Sequence, residues 1–175
     1  MKLFDLNKLI GSPEIVSGRI AEYEKNEVIR KQPADIAEIK GRIAKAENNL
    51  RFIRDNIKLG YFDWCITGCY YAMYQAALAL LTAKKYYSKN HDATLCLLIR
   101  EYYEKGISGE DIEMINKLFI DYNDLVFYVQ SKNKREEATY SSKYLFDKPL
   151  VEELRVKAVL FVDKAKEILK NSKLG

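Results

Sequence analysis

From Tyr61 to Ala83 the only charged residue is Asp63. A helix that is apolar on almost every side is either the central helix of a folded core or a membrane span, and this stretch approaches the ~20 residues a span needs. Tyr70, Tyr71, Tyr74, Gln75, Thr67 and Thr82 place polar groups along it. The neighbouring segments confine their apolar residues to one face, so they can cover it. The sequence therefore predicts a buried central helix over about Phe62–Lys84, and no membrane partner. Gly68, Ala72, Ala76 and Ala79 form a strip of small residues that lets another helix approach closely. Tyr71, Leu78 and Leu81 fall on a different face with Trp64.

The covering helices can be read on both sides. Ile36, Ile39, Ile43, Ala46, Leu50, Ile53 and Ile57 recur at spacings of three and four, which marks one face of a helix over about Asp35–Leu59. Gly60 ends it. A shorter helix from about Asp92 to Lys105 carries Leu95, Leu98, Ile99 and Tyr102 inward. Ser108 and Asp111 form a capping box ahead of Ile112, Ile115, Leu118, Phe119, Tyr122, Leu125, Val126 and Val129. Asp147-Lys148-Pro149 opens a last helix with Leu150, Leu154, Ala158, Phe161, Val162, Ala165, Ile168 and Leu169. Before all of these, Ser12-Pro13-Glu14 is a helix start, and a weak apolar stripe runs to Gln32-Pro33, where the proline breaks it. Residues 1–33 read as an appended helical arm, and residues 34–175 as the bundle. No run alternates with period two for long enough to predict a strand. The expected fold class is all-α: an up-and-down four- or five-helix bundle with an N-terminal helical arm, its short links favouring antiparallel neighbours.

Composition agrees. The chain has 175 residues with only 8 Gly and 3 Pro, too few turns for a many-stranded sheet. That length suits one domain and needs no disulfide or metal to support a core. Cys65, Cys69 and Cys96 are odd in number and lack zinc or redox spacing, so buried free thiols in a reducing cytoplasm are expected. The opening residues Met1-Lys2-Leu3-Phe4-Asp5 lack the apolar core of a signal peptide. No His/Cys/Asp/Glu cluster has metal-ligand spacing. No glycine-rich phosphate loop or nucleophile elbow is present. No metal and no cofactor are expected.

Three pieces of sequence occur together: Ile43-Ala44-Lys45-Ala46-Glu47-Asn48-Asn49-Leu50 followed by Tyr61-Phe62-Asp63-Trp64, then Tyr70-Tyr71-Ala72-Met73-Tyr74-Gln75-Ala76-Ala77-Leu78-Ala79-Leu80-Leu81, then Ser88-Lys89-Asn90-His91 ahead of another helix. Their order resembles the HEPN domain, above all its small stand-alone prokaryotic members, over about residues 37–171. The resemblance implies a helical bundle that often dimerises. It implies metal-independent RNase or RNA-binding activity in many members, and frequent partnership with a small nucleotidyltransferase in toxin–antitoxin pairs. RNase members carry Arg-x4–6-His near the start of a late helix.

This chain departs from that motif. Its only histidine, His91, precedes every arginine that could open it, and the nearest equivalent is Arg135-Glu136-Glu137-Ala138-Thr139-Tyr140. Many small members show a similar arginine-to-tyrosine pattern. Tyrosine, with a reference pKa of ~10, is a poor general base at neutral pH, whereas histidine is well suited. Arg135 can still grip a phosphate bidentately and Tyr140 can still donate a hydrogen bond. Lys132, Lys134, Arg135 and Lys143 form a basic set around it, with Glu136 and Glu137 reducing the local charge. Tyr140 and Tyr144 in this segment, like Tyr86 and Tyr87 in the polar link before His91, can stack bases, and the resemblance implies for some members that Tyr140 or Tyr144 accepts a modification from a nucleotidyltransferase.

Lys84, Lys85 and Lys89 extend the basic set only if the fold joins the two loops. His91 reads as a polar contact at a loop or helix start. The overall excess of 29 Lys and Arg over 25 Asp and Glu is mild and shows no binding face by itself. The expected function is a HEPN-like module associated with nucleic acid or nucleotides, acting as a homodimer beside a nucleotidyltransferase. The alternatives are a metal-independent RNase using Arg135 and Tyr140, and a purely structural interaction bundle.

Overall fold

The computed structural model describes the backbone of residues 3–133 and 146–172, and the side chains of residues 5–123 and 146–172. Seven helices are described: α1 (Leu3–Gly11), α2 (Pro13–Lys25), α3 (Ile36–Leu59), α4 (Phe62–Ala83), α5 (His91–Tyr102), α6 (Gly109–Asn133) and α7 (Lys148–Asn171). Two short strands, β1 (Ile29–Lys31) and β2 (Tyr86–Ser88), pair antiparallel.

Local chemistry sets most of these ends. Asp35 caps α3 by accepting from the amides of Ala37 (2.8 Å) and Glu38 (3.1 Å). Gly60 closes the helix with φ +77°, a backbone that glycine adopts without steric cost. Asp147 caps α7 through the Leu150 amide (2.9 Å) with Pro149 in the first turn. The capping box forms: the Asp111 carboxylate accepts from the Ser108 amide (2.8 Å), and the Asp111 amide donates to the Ser108 hydroxyl (3.2 Å). Asp63 stands in the first turn of α4, but Tyr61 at the N-cap makes no side-chain capping bond.

α4 is the axis of the bundle. It packs on α3, α5, α6 and α7, and on β2. Cys65, Ile66, Cys69, Ala72, Met73, Ala76, Ala77, Ala79, Leu80 and Leu81 are all buried, so the greasy stretch is enclosed by its amphipathic neighbours. The small-residue strip works as its spacing predicts. A β-carbon on Gly68 would stand 2.7 Å from Ile53 Cγ1 of α3. Fully burying a large apolar side chain such as Phe161, Leu80 or Ile53 contributes about 1.5–3 kcal/mol. Lys166 of α7 bonds Glu47 of α3 at 2.7 Å, and Arg42 of α3 reaches Gln75 of α4 at 3.4 Å. Among the described residues, no helix is long and apolar enough to cross a membrane.

Three local readings differ from the structure. Trp64, in the first turn of α4, is 57 % exposed, while Cys65 and Ile66 next to it are buried. Ile36, the first residue of α3, is half exposed and lies outside the core. Helix α2 stops at Lys25 rather than continuing to Gln32, and the chain turns through Glu27 (φ +54°) into β1. Leu6, Leu9, Val16, Ile20 and Ile29 from these first residues join the same buried cluster as the bundle, with α1 and α2 lying against α5.

The ribbon was not foreseen, since three-residue strands are too short for alternation to register. Ile29 faces Ser88, Arg30 faces Tyr87, and Lys31 faces Tyr86. The same register continues outward through Lys89 N–H to the Val28 carbonyl and Gln32 N–H to the Lys85 carbonyl, both 2.9 Å. Ser88 fixes the ribbon to α5: its hydroxyl donates to the Asn90 carbonyl (3.1 Å) and accepts from Thr94 (2.9 Å).

Candidate functional site

The segment singled out from the sequence follows α6 directly. Lys132 is in the last turn of that helix, with its backbone described and its side chain outside the described residues. Lys134, Arg135, Tyr140, Lys143 and Tyr144 all lie outside the described residues. What the structure supplies is the frame that leads to them: α6 delivers the segment and Asp147, capping α7, receives it.

Along that frame, α4 and α6 share an aromatic cluster. Tyr70 is stacked between Tyr74 (5.4 Å between ring centres) and Tyr122 (5.1 Å). The Tyr71 hydroxyl donates to the Tyr122 hydroxyl at 3.0 Å. Tyr74 shares a 3.5 Å contact with Thr94 of α5. Burial pushes the Tyr70 and Tyr74 phenols up from their ordinary value. Burial, and then the bond to Tyr122, raise Tyr71 to about 12. These phenols therefore keep their protons at neutral pH and act as neutral hydrogen-bonding groups. Tyr122 stands ten positions before Lys132 in α6, about 15 Å along the helix.

His91 belongs to this cluster rather than to the surface. It is the first residue of α5, as its place at a helix start suggested, but it is 4 % exposed and not a polar contact in a loop. Its ring lies on Phe119 with centres 3.8 Å apart. Burial drives its pKa down to about 3, against an upward pull from Asn116. A neutral, enclosed imidazole of this kind is a weak proton acceptor at pH 7. Local sequence could not show this, because the aromatic lid comes from a distant helix.

The cysteines are buried, free thiols. Burial pushes Cys65 and Cys96 up to about 11 and Cys69 to about 12, which removes thiolate character. Among the described residues, no group of three or more His, Cys, Asp or Glu side chains is placed to hold a metal ion.

Two surface features depend on packing between elements distant in sequence. Between α6 and α7 lies a cleft of about 780 Å³ reaching Met73 of α4, with Asn116, Lys117 and Ile120 on one side and Lys157 and Leu160 on the other. The Lys164–Asp111 ion pair (2.6 Å) spans the same two helices. The hint was in the rows Lys117, Ile120, Asp121 and Lys157, Leu160, Lys164, each on one helix face. The second feature is cationic: the ribbon sets Lys84, Lys85 and Lys89 beside Arg30 and Lys31. The sequence had offered these lysines only as an extension of the set around Arg135.

Comparison with known proteins agrees with the architecture. The HEPN domain profile matches residues 39–146. A UPF0332 protein of Archaeoglobus fulgidus is 29% identical over 136 residues, covering 78% of this chain and 98% of that protein. A protein of Methanocaldococcus jannaschii named "Putative toxin" is 26% identical over 133 residues, covering 75% of this chain and 82% of that protein. With a central helix of matching sequence, a helical bundle around it, and a profile match over more than half its length, the chain belongs to the HEPN domain family.

Proposed function

We propose that this HEPN-family chain is an RNA- or nucleotide-associated module of a toxin–antitoxin-type pair, acting as a homodimer beside a nucleotidyltransferase partner. The observation that carries the reading is family membership together with a relative named as a toxin. In this reading Arg135 grips phosphate, Tyr140 donates a hydrogen bond, and Lys132, Lys134, Lys143 and Tyr144 supply further contacts to the nucleic acid.

The motif has no histidine after Arg135. The chain's single imidazole is neutral and enclosed against Phe119, so it is a poor substitute for the missing base. That favours binding over catalysis. Incubating purified protein with total RNA, beside an Arg135→Ala variant, tests it. RNA retention that depends on Arg135, without cleavage, is expected. Arg135-dependent cleavage would instead establish the second reading, a metal-independent RNase using Arg135 and Tyr140, which the relative's toxin name favours. Co-purification with a nucleotidyltransferase encoded next to this chain tests the partnership, and the mass of the purified protein in solution tests the dimer.

A further inference from the structure

The ribbon's pleat sorts its side chains into two rows. Ile29, Tyr86 and Ser88 are buried. The opposite row carries Arg30 and Tyr87 as a cross-strand pair, with Arg30 Cζ 4.8 Å from the Tyr87 ring centre. The backbone bonds from Gln32 to Lys85 and from Lys89 to Val28 place an exposed lysine at each end of the ribbon. Lys31 and Lys84 are also exposed beside it.

Among the described residues, none of these five cations is in an ion pair. The acids nearest in sequence are Glu27 at the turn into β1, Asp35, whose carboxylate caps α3, and Asp92 in the first turn of α5, with Glu38 and Glu101 further along the chain. Arg42 holds Glu38 at 2.6 Å, and Arg100 holds Glu101 at 2.9 Å. The support beneath is rigid. Tyr86 carries Lys31 at 3.5 Å and Arg100 at 4.9 Å from its ring centre, and Ser88 is bonded into the start of α5.

We infer that the outer face of the β1–β2 ribbon docks the phosphate backbone of single-stranded RNA, with Tyr87 offering its ring to a base. Cations in a row beside an aromatic ring fit a flexible strand, which brings repeated phosphates and stackable bases together. A lipid surface would be matched better by apolar side chains beside the lysines, and this face offers only the half-buried Val28. β1 lies outside the residues matched by the family profile. The inference rests on the RNA-associated reading above.

The test uses the full chain and a fluorescein-labelled oligouridine, read by anisotropy over a salt series. The ribbon variant combines Arg30→Gln, Lys85→Gln and Lys89→Gln. A control removes equal charge from the exposed face of α3 with Lys40→Gln, Lys45→Gln and Arg51→Gln. Thermal melts of both show whether the fold is kept. The ribbon variant is expected to bind about tenfold or more weakly. Its salt dependence should be shallower by about 2, since each single-strand phosphate contact contributes a slope of about 0.7. The control should bind as the unmodified chain does.

Equal losses in both variants would overturn the inference in favour of diffuse charge. Unmodified affinity in the ribbon variant would overturn it while leaving the RNA-associated reading standing. If the unmodified chain binds no oligouridine at low salt, both fall. Ribbon-dependent binding to phosphatidylserine vesicles without RNA binding would also overturn it.

Discussion

The imidazole of His91 lies flat against the ring of Phe119, 3.8 Å between centres and 8° from parallel. One partner opens α5 and the other lies in the middle of α6, so the contact joins two helices through a residue that would carry charge in water just below neutral pH.

That position sets a pH dependence. His91 falls from an ordinary 6.5 to about 3 because burial penalises the imidazolium. The unfolded chain therefore binds this proton more readily than the folded one, and the contribution is intact above pH 6.5 and lost as pH falls toward 3. Each unit of difference corresponds to about 1.4 kcal/mol. Urea midpoints measured from pH 7.5 to 4 should decline less steeply for His91→Phe than for the unmodified protein. Equal slopes would show that His91 is solvated.

Gly68 and Gly41 should respond oppositely to alanine. At Gly68 the added methyl meets Ile53 at 2.7 Å and Phe52 at 3.3 Å. Ile53 is fully buried and has no room to withdraw, so a loss of about 1–3 kcal/mol is expected. At Gly41, also within a helix, the methyl meets nothing within 4 Å, and alanine should stabilise by about 0.5–1 kcal/mol. Chemical denaturation of the two variants checks both signs.

The Ser108–Asp111–Lys164 group ties the start of α6 to α7. Although burial pushes the Asp111 carboxyl up, bonds from Lys164 and Ser108 hold it below its ordinary value. Its contribution is present above the unfolded carboxylate range and is lost as pH falls through the lowered value. Ser108→Ala should cost about 1 kcal/mol as a lost cap. A cycle of Asp111→Ala with Lys164→Ala should show coupling, since the opposite charges share a hydrogen bond. Additive losses would mean that the 2.6 Å pair is not maintained in solution.

All three thiols should be inert in the folded protein. Cys65, Cys69 and Cys96 are buried and have thiol pKa values raised to about 11, 12 and 11. At pH 8, a chromogenic disulfide reagent should release no colour over minutes, then react with three thiols per chain in denaturant. Rapid reaction of one thiol in the native protein would show that its helix opens.

The sequence made local features visible and hid those that depend on distant partners. Ser12, Asp35, Ser108, Asp111 and Asp147 announce helix starts because capping is a matter of a few adjacent residues. The strip from Gly68 to Ala79 announces close helix packing because small side chains at helical spacing have one geometric consequence. Nothing near Ile29 indicates pairing with Ser88, which is distant in sequence, and nothing near His91 reveals Phe119. The cleft between α6 and α7 depends likewise on how far two helices diverge above Met73. For the site, the sequence pointed to Arg135 and its neighbours through the resemblance to a family motif, and these residues lie outside those the structure describes, which end on that side at Asn133.

The β1–β2 pairing changes what a shortened chain would be. A cut at Pro33 leaves Tyr86–Ser88 in place but removes the strand that occupies their backbone, along with Leu6, Leu9, Val16 and Ile20 over α5. The remainder would display an open β-edge beside newly bared apolar surface, an invitation to self-association. Oligomers of such a fragment would report the wound rather than the native contacts of the intact protein.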